Sequence, residues 1–596
     1  MSDTFHWLDH LVVLGYLAVS IGLGIYLRGQ STREEFFQAS GSMGRMTVGL
    51  SVMATLFSAN SFMMYPSTSY AVSLTAGAAV IAFWAMAPVV IWVFIPVYSR
   101  LKCKTAYEYL EQRFHVSVRC LASGLFILLR IGWMASATYA ASVAISGISG
   151  VGQVTVIISL GTVAVFYTML GGLRAVMWTD VLQFFVFAGT IVFAMGLLIS
   201  QADGGFSGIV ETYTKGRDNL IVNFAIDPKL RFATFAMLIG SFLEGLSAFG
   251  ADQVAVQRYI AAKDEKTSQS GFLINMLGLS FIVPSLLCIG AGLFAYFHHH
   301  PENLEEAFVQ GMVRTSIEKS SEQDPNFVIS DQERSELDRF YRDGMRATVK
   351  NSPDEAATIV HELIVETGMQ DQALPTFVRL KFPPGVVGLL VAALMAATMS
   401  SIDSGIHSVT TAIVVDFRDR LFPGLRPATD AGEMRIARII LVIIGALAVG
   451  LACFVGDLGD VFDVAKKTTA AFGGGVHRRA VYAASYLVRS PAGHLRRSSH
   501  HRLADGRAPG LVFALVLANR ILLGNRAFDA SESDSRGEND RSRRAAADLV
   551  IRHAKLEIRS LTAGCFVESG AGKLSRPSVS LAPPDLRNPY AKQSIH

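Results

Sequence analysis

Apolar residues fall in long uncharged runs along the first 465 residues, and polar residues cluster between the runs. A helix needs about 20 apolar residues to cross the ~30 Å hydrocarbon core of a bilayer. Ten segments approach or exceed this length, two of them with one internal charge: 11–27, 46–77, 78–99, 121–150, 152–173, 181–201, 232–251, 270–297, 382–402 and 439–455. The pattern predicts an all-α integral membrane protein with ten spanning helices.

The first run is expected to be a membrane helix and not a cleaved signal peptide, because no Lys or Arg precedes Arg28 and no small-residue cleavage site follows. Composition supports the membrane class. Of 596 residues, 51% are hydrophobic and 17% are charged, whereas soluble proteins carry about 25% charged residues. The five cysteines show no paired spacing, so neither a disulfide scaffold nor a zinc site is indicated.

Lysine and arginine in the short loops predict the orientation, because basic loops stay in the cytoplasm. One alternating set of loops holds fifteen basic residues: Arg28, Arg33, Arg45, Arg100, Lys102, Lys104, Arg113, Arg119, Arg174, Arg258, Lys263, Lys266, Arg418, Arg420 and Arg426. The opposite set holds two, Lys215 and Arg217. We therefore expect a multi-pass protein of the plasma (inner) membrane with its N-terminus outside.

Polar residues within the run 51–70, SVMATLFSANSFMMYPSTSY, indicate an interrupted helix. Ser58, Asn60 and Ser61 precede Pro66, which removes a backbone donor. Interrupted backbone persists in a bilayer only where it lines a protein cavity, and its freed carbonyls can coordinate a cation. An ordinary proline kink is the alternative.

A second polar cluster lies within residues 382–416. Ser400, Ser404 and Ser408 are spaced i, i+4, i+8 and therefore share one helix face. Such a face can join helices by hydrogen bonds. It can also supply neutral oxygens to a monovalent hard cation, since a divalent ion would usually recruit several carboxylates.

Four charged residues lie within or at the ends of the spans, where charges are costly and usually functional: Arg130, Asp180, Glu244 and Asp252. Arg130 lies about thirteen residues into its helix, roughly 20 Å deep at 1.5 Å per residue. The alternative to a functional role is a set of buried ion pairs, such as Arg130 with Glu244.

Two segments resemble the signatures of the sodium–solute symporter family, whose members include glucose, iodide, monocarboxylate and proline transporters. They are GGLRAVMWTDVLQ at 171–183 and ALMAATMSSIDSGIHSVTTAIVVD at 393–416. Three shorter matches support them: Phe36–Phe37 before a GLS-x-x-A-T-x-x-SA segment, TAYEYLEQRF at 105–114, and DQVAVQRYIAAK at 252–263. The resemblance covers about residues 5–470.

The resemblance implies a LeuT-type inverted repeat of five plus five helices with one extra N-terminal helix. The extra helix would occupy 5–28, the first repeat 45–201 with helix 46–70 broken, and an incomplete second repeat 229–470. A polar segment at 298–381 would be an extracytoplasmic insertion. The implied activity is Na⁺-coupled secondary active symport of a small organic or anionic solute by alternating access.

The resemblance also implies site residues. Sodium would be bound by the carbonyls of Ala54, Phe57 and Ala397 and the hydroxyls of Ser400 and Ser401. Asp180 would serve a second sodium or an exit route. The solute would lie near the broken helix, beside a set of polar and aromatic side chains: Asn60, Ser61, Tyr65, Arg130, Asp252 and Gln253.

Departures from relatives bear on the solute. Ser61 and Val80 stand where sugar-transporting relatives have Gln and Glu, so a sugar is disfavoured. The segment SVMATLFSANSF is closer to the anion, carboxylate and vitamin branch, and Arg130 could serve a carboxylate as a fixed cation in low dielectric. Asp252 stands where many relatives have Asn.

The composition changes near Gly473, where the resemblance leads us to expect the tenth core helix. Residues 468–554 contain fourteen Arg and no Lys, whereas residues 1–467 contain 22 Arg and 11 Lys. The apolar stretch 511–523 is too short to span comfortably. This predicts that the Arg/Ser-rich tail 476–596 is out of frame and disordered, with the last core helix missing or replaced. A genuine regulatory tail is the alternative.

Other functional classes remain as alternatives to a working symporter: a transporter-like membrane sensor, or an inactive truncated or frameshifted transporter. An enzyme is not expected, because no nucleophile–base or nucleotide-binding constellation is present. The expected partners are a small solute, Na⁺ as coupling ion and the lipid bilayer, with no other cofactor, no metal beyond sodium and no nucleic acid. The oligomeric state is left open.

Overall fold

The computed structural model describes residues 5–101, 103–216, 234–323, 329–351 and 353–454, which are almost wholly helical. The first half contains α1 Trp7–Tyr26, α2 Arg33–Gln38, α3 Arg45–Leu56, α4 Ala59–Ala71, α5 Ala78–Val89, α6 Ile95–Leu101, α7 Glu108–Arg113, α8 Val116–Ser149, α9 Gln153–Gln201 and α10 Gly205–Lys215. The second half contains α11 Thr234–Gly250, α12 Gln253–Ala261, α13 Glu265–His299, α14 Glu305–Gln323, α15 Asp331–Asn351, α16 Pro353–Glu366, α17 Ala373–Lys381, α18 Val386–Ala412, α19 Asp419–Leu421 and α20 Asp430–Phe454.

Within these described ranges, seven helical segments are long and apolar enough to cross a membrane: Trp7–Tyr26, Leu74–Leu101, Val116–Ser149, Gln153–Gln201, Glu265–His299, Val386–Leu421 and Asp430–Phe454. An eighth candidate is the pair α3 and α4, which meet at an angle of 66°. A π-helical turn, Val90–Phe94, joins α5 to α6, and another, Ile413–Arg418, follows α18.

Two predicted spans, 152–173 and 181–201, lie within the single 49-residue α9. Residues 153–201 are two helices that meet at a sharp kink and are not one straight rod. The interruption is Gly172, at φ 52° and ψ −154°. A Cβ there would lie 2.9 Å from the carbonyl oxygen of Phe36. The expected loop around Arg174 is therefore a single glycine, and Arg174 itself is helical.

Two helices are interrupted, one in each half of the chain: the first between α3 and α4, and the second between α11 and α12. The α3–α4 break falls at Phe57 and Ser58, both with extended backbone. It lies in the polar middle of the run 51–70 that was predicted to be interrupted, and Pro66 lies inside α4. A proline within a helix loses one hydrogen bond, and neighbouring helices can compensate in a membrane protein. The second break lies between α11 and α12, where Asp252 is the extended N-cap residue of α12.

Helix α18 is the centre of the described bundle. Its apolar window is 89% buried, whereas that of α1 is 22% buried and that of α20 is 33% buried. Asp9 fastens α1 to the start of α18, because its buried carboxylate accepts hydrogen bonds from the backbone N–H groups of Gly385 and Gly388 at 2.7 and 2.6 Å. A carboxylate at a helix N-terminus also interacts favourably with the helix dipole.

A buried polar network fixes the far end of α18. Asp416, fully buried, accepts hydrogen bonds from Thr105, Arg119 and Ser123 at 2.7–2.8 Å. Arg119 also donates to Glu111 of α7 at 2.7 Å. The short α7 is thereby tied to α8 and to the end of α18.

Glu111 provides a pH-dependent contribution to stability. Burial raises the pKa of its carboxyl, but hydrogen bonds and positive charge from Arg420 and Arg119 outweigh this, and the pKa lies below its usual value. A depressed pKa contributes stability above the unfolded value of about 4.3, and the contribution is lost as pH falls through the folded value. We expect Glu111→Gln to cost about 1–2 kcal/mol at pH 7.

Thermal unfolding in detergent between pH 7 and pH 4 measures this effect. The variant and the parent should converge as the pH falls. Glu34→Gln, an exposed carboxylate of α2, is the control and should show little change. A Glu111→Gln deficit that is the same at both pH values would contradict the ion-pair origin.

Helix α13 ends at His299, at the start of the segment 298–381 predicted to be an insertion. Helices α14 to α17 then follow, and residues 313–351 belong to a compact unit separate from the rest of the described chain. Within that unit, the hydroxyls of Ser316 and Tyr341 lie 2.7 Å apart. The predicted tail, 476–596, and the expected tenth core helix lie outside the described residues.

Candidate functional site

The break after α3 frees a backbone carbonyl in the middle of the bundle. The helix ends at Leu56, and Phe57 adopts φ −97° and ψ 104°. The carbonyl of Ala54 accepts a hydrogen bond from the Ser400 hydroxyl of α18 at 2.9 Å. Ser58 begins the next helix with its hydroxyl oxygen buried and without a hydrogen-bond partner among the described atoms. The break therefore offers polar oxygens to a buried space.

Ser400 and Ser401 complete this group of oxygens from the α18 side. The Ser400 hydroxyl also donates to the Ala397 carbonyl at 3.0 Å, and Ser401 donates to the same carbonyl at 3.3 Å. Both serines are at most 1% exposed. The structure thus brings together four of the five residues predicted to bind sodium.

Phe57, the fifth predicted sodium-binding residue, lies at the break itself. Its ring stacks on Tyr65 with centroids 5.8 Å apart and packs edge-on against Phe187 at 5.6 Å. No described contact joins its carbonyl to the serine hydroxyls. The aromatic side chains cover one side of the break.

Neutral oxygens dominate this cluster, which we call the serine–carbonyl cluster: Ala54, Phe57, Ala397, Ser400 and Ser401. Carbonyl and hydroxyl oxygens without a carboxylate suit a monovalent hard cation, because a divalent ion usually takes carboxylate ligands. Binding would exchange the serine–carbonyl hydrogen bonds for contacts with the cation.

Asp180 lies in a second buried polar cluster, one to two turns from the break. Its carboxylate accepts from Ser51 at 2.5 Å and Thr55 at 3.3 Å, and it forms an ion pair with Arg258 at 3.2 Å. Asp180 and Arg258 are fully buried. The second carboxylate oxygen of Asp180 has no hydrogen-bond partner among the described atoms, so it could accept one further donor or cation.

Arg258 was misassigned by the sequence, which placed it in a cytoplasmic loop. It lies in α12 with 0% exposure and donates to Ser51 at 2.9 Å, to Ser404 and to the carbonyl of Val254. A count of basic residues near span ends assigns all of them to loops. Nothing in the sequence around Arg258 indicated that this arginine is buried, whereas Lys263 and Lys266 follow α12.

Asp403 was also missed as a site residue. It is fully buried and accepts hydrogen bonds from Tyr167 and, at 3.0 Å, from Ser404. Its position between the adjacent serines of α18 was visible in the sequence, because a carboxylate in the centre of a span is costly and calls for a partner. The carboxylates of Asp180 and Asp403 and the guanidinium of Arg258 thus form one buried cluster of two acids and one base.

The predicted solute residues separate into two groups. Arg130 and Asp252 are both buried and form an ion pair of 3.4 Å. The described ion pair of Arg130 is therefore with the α12 N-cap residue, while Glu244, the partner considered from the sequence, is exposed on α11. Gln253 is turned toward α7, where its side-chain oxygen accepts from the Ala106 N–H at 2.6 Å.

The remaining predicted solute residues lie on α4. Asn60, Ser61 and Tyr65 are half-buried. Helix α4 packs against α8, which carries Arg130, and against α18. Arg130 and the α4 residues are therefore on adjacent helices, with the Phe57–Tyr65 stack at the break.

Broken helices around a buried oxygen cluster define a secondary transporter of the inverted-repeat class. The sequence profile of the sodium:solute symporter family matches residues 36–319 and 349–484. The chain belongs to the sodium:solute symporter family. It is therefore a multi-pass membrane transporter that couples solute movement to Na⁺.

Individual relatives agree with this assignment. The chain is 26% identical over 474 residues to the sodium/sialic acid symporter SiaT of Proteus mirabilis, covering 79% of this chain and 83% of that protein. It is 27% identical over 479 residues to the human sodium-coupled monocarboxylate transporter 1, covering 79% and 68%.

A solved structure extends the comparison to the fold. A substrate-bound, outward-open Na⁺-coupled sialic acid symporter superposes with a TM-score of 0.62 at 25% identity, covering 77% of this chain and 83% of that one. That structure revealed a novel Na⁺ site in the sialic acid symporter. The predicted LeuT-type architecture is confirmed.

Proposed function

We propose that this chain moves a small organic anion, of the carboxylate class, together with Na⁺ into the cell. The transport cycle alternates access to the broken helices from the two sides of the plasma membrane. Of the fifteen basic residues predicted for one set of loops, Arg119, Arg258 and Arg418 are buried. The remaining twelve still exceed the two on the opposite side, which supports an external N-terminus.

The serine–carbonyl cluster is the proposed site of the coupling Na⁺. The support is its composition of buried neutral oxygens at a helix break and its two serines within hydrogen-bond distance of freed or helical carbonyls. Asp180 is proposed to serve a second Na⁺ or its exit, supported by its unpartnered carboxylate oxygen. The membrane potential then contributes about 2.3 kcal/mol per charge per 100 mV.

The observation that favours an anionic solute is Arg130, a guanidinium 7% exposed and deep within α8. Its described ion pair with Asp252 is long, at 3.4 Å. A guanidinium binds carboxylates in a bidentate fork. Two relatives named above are symporters of sialic acid and of monocarboxylates, which supports the same class.

Uptake of radiolabelled solutes tests the proposal. Cells or vesicles are given monocarboxylates, sialic acid, amino acids, vitamins, sugars and inorganic anions, with and without a Na⁺ gradient. We expect Na⁺-driven uptake to be confined to anions. Saturable uptake of neutral sugars alone would contradict the solute class, whereas uptake that ignores the Na⁺ gradient would contradict the coupling.

Arg130→Gln is expected to raise the KM of a carboxylate roughly 10–100-fold, because a hydrogen bond to a charged group contributes about 1.5–3 kcal/mol. The Na⁺ concentration for half-maximal uptake should change little. Arg130→Lys keeps the charge and should recover part of the loss. The double variant Arg130→Gln, Asp252→Asn tests whether an uncompensated Asp252 caused the effect. An unchanged KM in Arg130→Gln would remove this residue from the solute site.

The Arg/Ser-rich tail, residues 476–596, bears on whether the chain with this sequence is an active transporter. The family match ends at residue 484, close to the change in composition. We propose that residues 476–596 are read out of frame. The coding DNA around codon 473 should then encode apolar helices in another frame, and a chain restored to that frame should transport where the printed chain does not. Equal uptake by both chains would identify the tail as genuine.

A further inference from the structure

A cavity of about 530 Å³ lies between α9 and the first half of α20. It is lined by two arginines and six apolar or small residues: Met169, Ala431, Met434, Arg435, Arg438, Ile439, Val442 and Ile443. This cavity is separate from the broken helices and from both buried polar clusters. The assigned transport function gives it no role.

Arg435 and Arg438 differ from the other arginines at this end of the molecule. Glu433, on the opposite face of α20, pairs with Arg418 at 2.5 Å and with Arg426 at 3.4 Å. Among the described residues, Arg435 and Arg438 have no acidic partner within 4 Å, and the buried Nε of Arg438 has no hydrogen-bond acceptor. Positive charge is therefore left without compensation in the cavity.

The cavity is basic at one end and apolar at the other, which matches the charged headgroup and the apolar chains of a phospholipid. The two arginines lie five and eight residues after Asp430, which is about 8–12 Å along the helix. The next turns present Ile439, Val442 and Ile443, which are 53%, 40% and 58% exposed. In a spanning helix such residues face lipid chains, whereas basic side chains near the helix end reach the headgroup level.

We propose that this cavity binds one anionic phospholipid. Its phosphate is held by the guanidinium groups of Arg435 and Arg438, and one acyl chain lies along Ile439, Val442 and Ile443. Arginine recognises phosphate through paired N–H donors. The lipid bridges α9 and α20, which pack against each other and contribute Met169 and Met434 to the cavity wall. The inference needs only the membrane assignment and is independent of the proposed solute.

Lipid retention by the full-length protein tests the site. The protein is purified in detergent, supplied with phosphatidylglycerol or phosphatidylcholine, and examined by native mass spectrometry across a lipid titration. We expect one phosphatidylglycerol to be retained at concentrations where phosphatidylcholine is lost. Equal retention of the two lipids, or no retention of either, would overturn the proposal without any variant being made.

A charge-matched pair of variants locates the lipid. Arg435→Gln with Arg438→Gln should weaken phosphatidylglycerol retention roughly 10–30-fold, from about 1 kcal/mol per basic residue at a membrane surface. Arg100→Gln with Lys104→Gln removes the same charge from exposed positions and should retain the lipid. Equal losses in both pairs would show a non-specific charge effect and overturn the site. Unchanged elution and melting temperature would show that the first pair still folds.

Discussion

Arg258→Met is expected to destabilise the protein by about 3–5 kcal/mol, the cost of removing one partner of a buried ion pair. The guanidinium is fully buried and bonds to Asp180, Ser51 and Ser404. Without it, the carboxylates of Asp180 and Asp403 share a buried space with no described cation. Unfolding by denaturant in mixed micelles measures the loss.

Two further variants separate the charge effect from lost packing. Arg258→Met combined with Asp180→Asn removes one carboxylate along with the guanidinium, so it should recover much of the stability. Arg28 is exposed, so the stability of the control variant Arg28→Met should be close to that of the parent. A double variant as unstable as the single one would show that the packing of the arginine, not its charge, was responsible.

Ser401→Ala is expected to raise the Na⁺ concentration for half-maximal uptake about tenfold, the equivalent of about 1.4 kcal/mol. The loss of one hydroxyl oxygen from a buried cation site is of this order. Ser400→Ala should act in the same direction and also frees the Ala54 carbonyl. Initial rates of uptake across a Na⁺ series give the value.

Thr398→Val is the matched control for the serine variants. Thr398 is buried on the same helix, but its hydroxyl donates only within that helix, to the Leu394 carbonyl at 2.7 Å. The Na⁺ concentration for half-maximal uptake by Thr398→Val should remain close to that of the parent. Unchanged Na⁺ dependence in both serine variants would remove α18 from the sodium site.

Much of the fold followed from the sequence because each membrane span is a continuous apolar run of about 20 residues. The ten predicted runs fall on helices, although seven helical segments of the described residues, or eight with the bent pair α3–α4, meet the length and hydropathy of a span. The signature segments identified the family. The serine–carbonyl cluster followed from resemblance, with four residues found together. The interruption of the run 51–70 followed from its polar residues, whereas the two residues that leave the helical conformation, Phe57 and Ser58, were not specified by the sequence.

The buried acid–guanidinium cluster could not be predicted because its members are distant in sequence. Asp180 and Arg258 are separated by 78 residues, and Asp180 and Thr55 by 125. Each residue alone is compatible with a loop, a cap or an ion pair. The ion pair of Arg130 with Asp252 was not predicted for the same reason, because the two residues are separated by 122 positions.

The glycine that divides α9 has a consequence for how the protein is made. Because Gly172 alone separates the two halves, no exposed connector exists between residues 171 and 173 in which extra residues could be accommodated. The two halves of α9 must therefore be assembled with this corner already formed. Epitope tags or protease sites placed at this corner should block assembly.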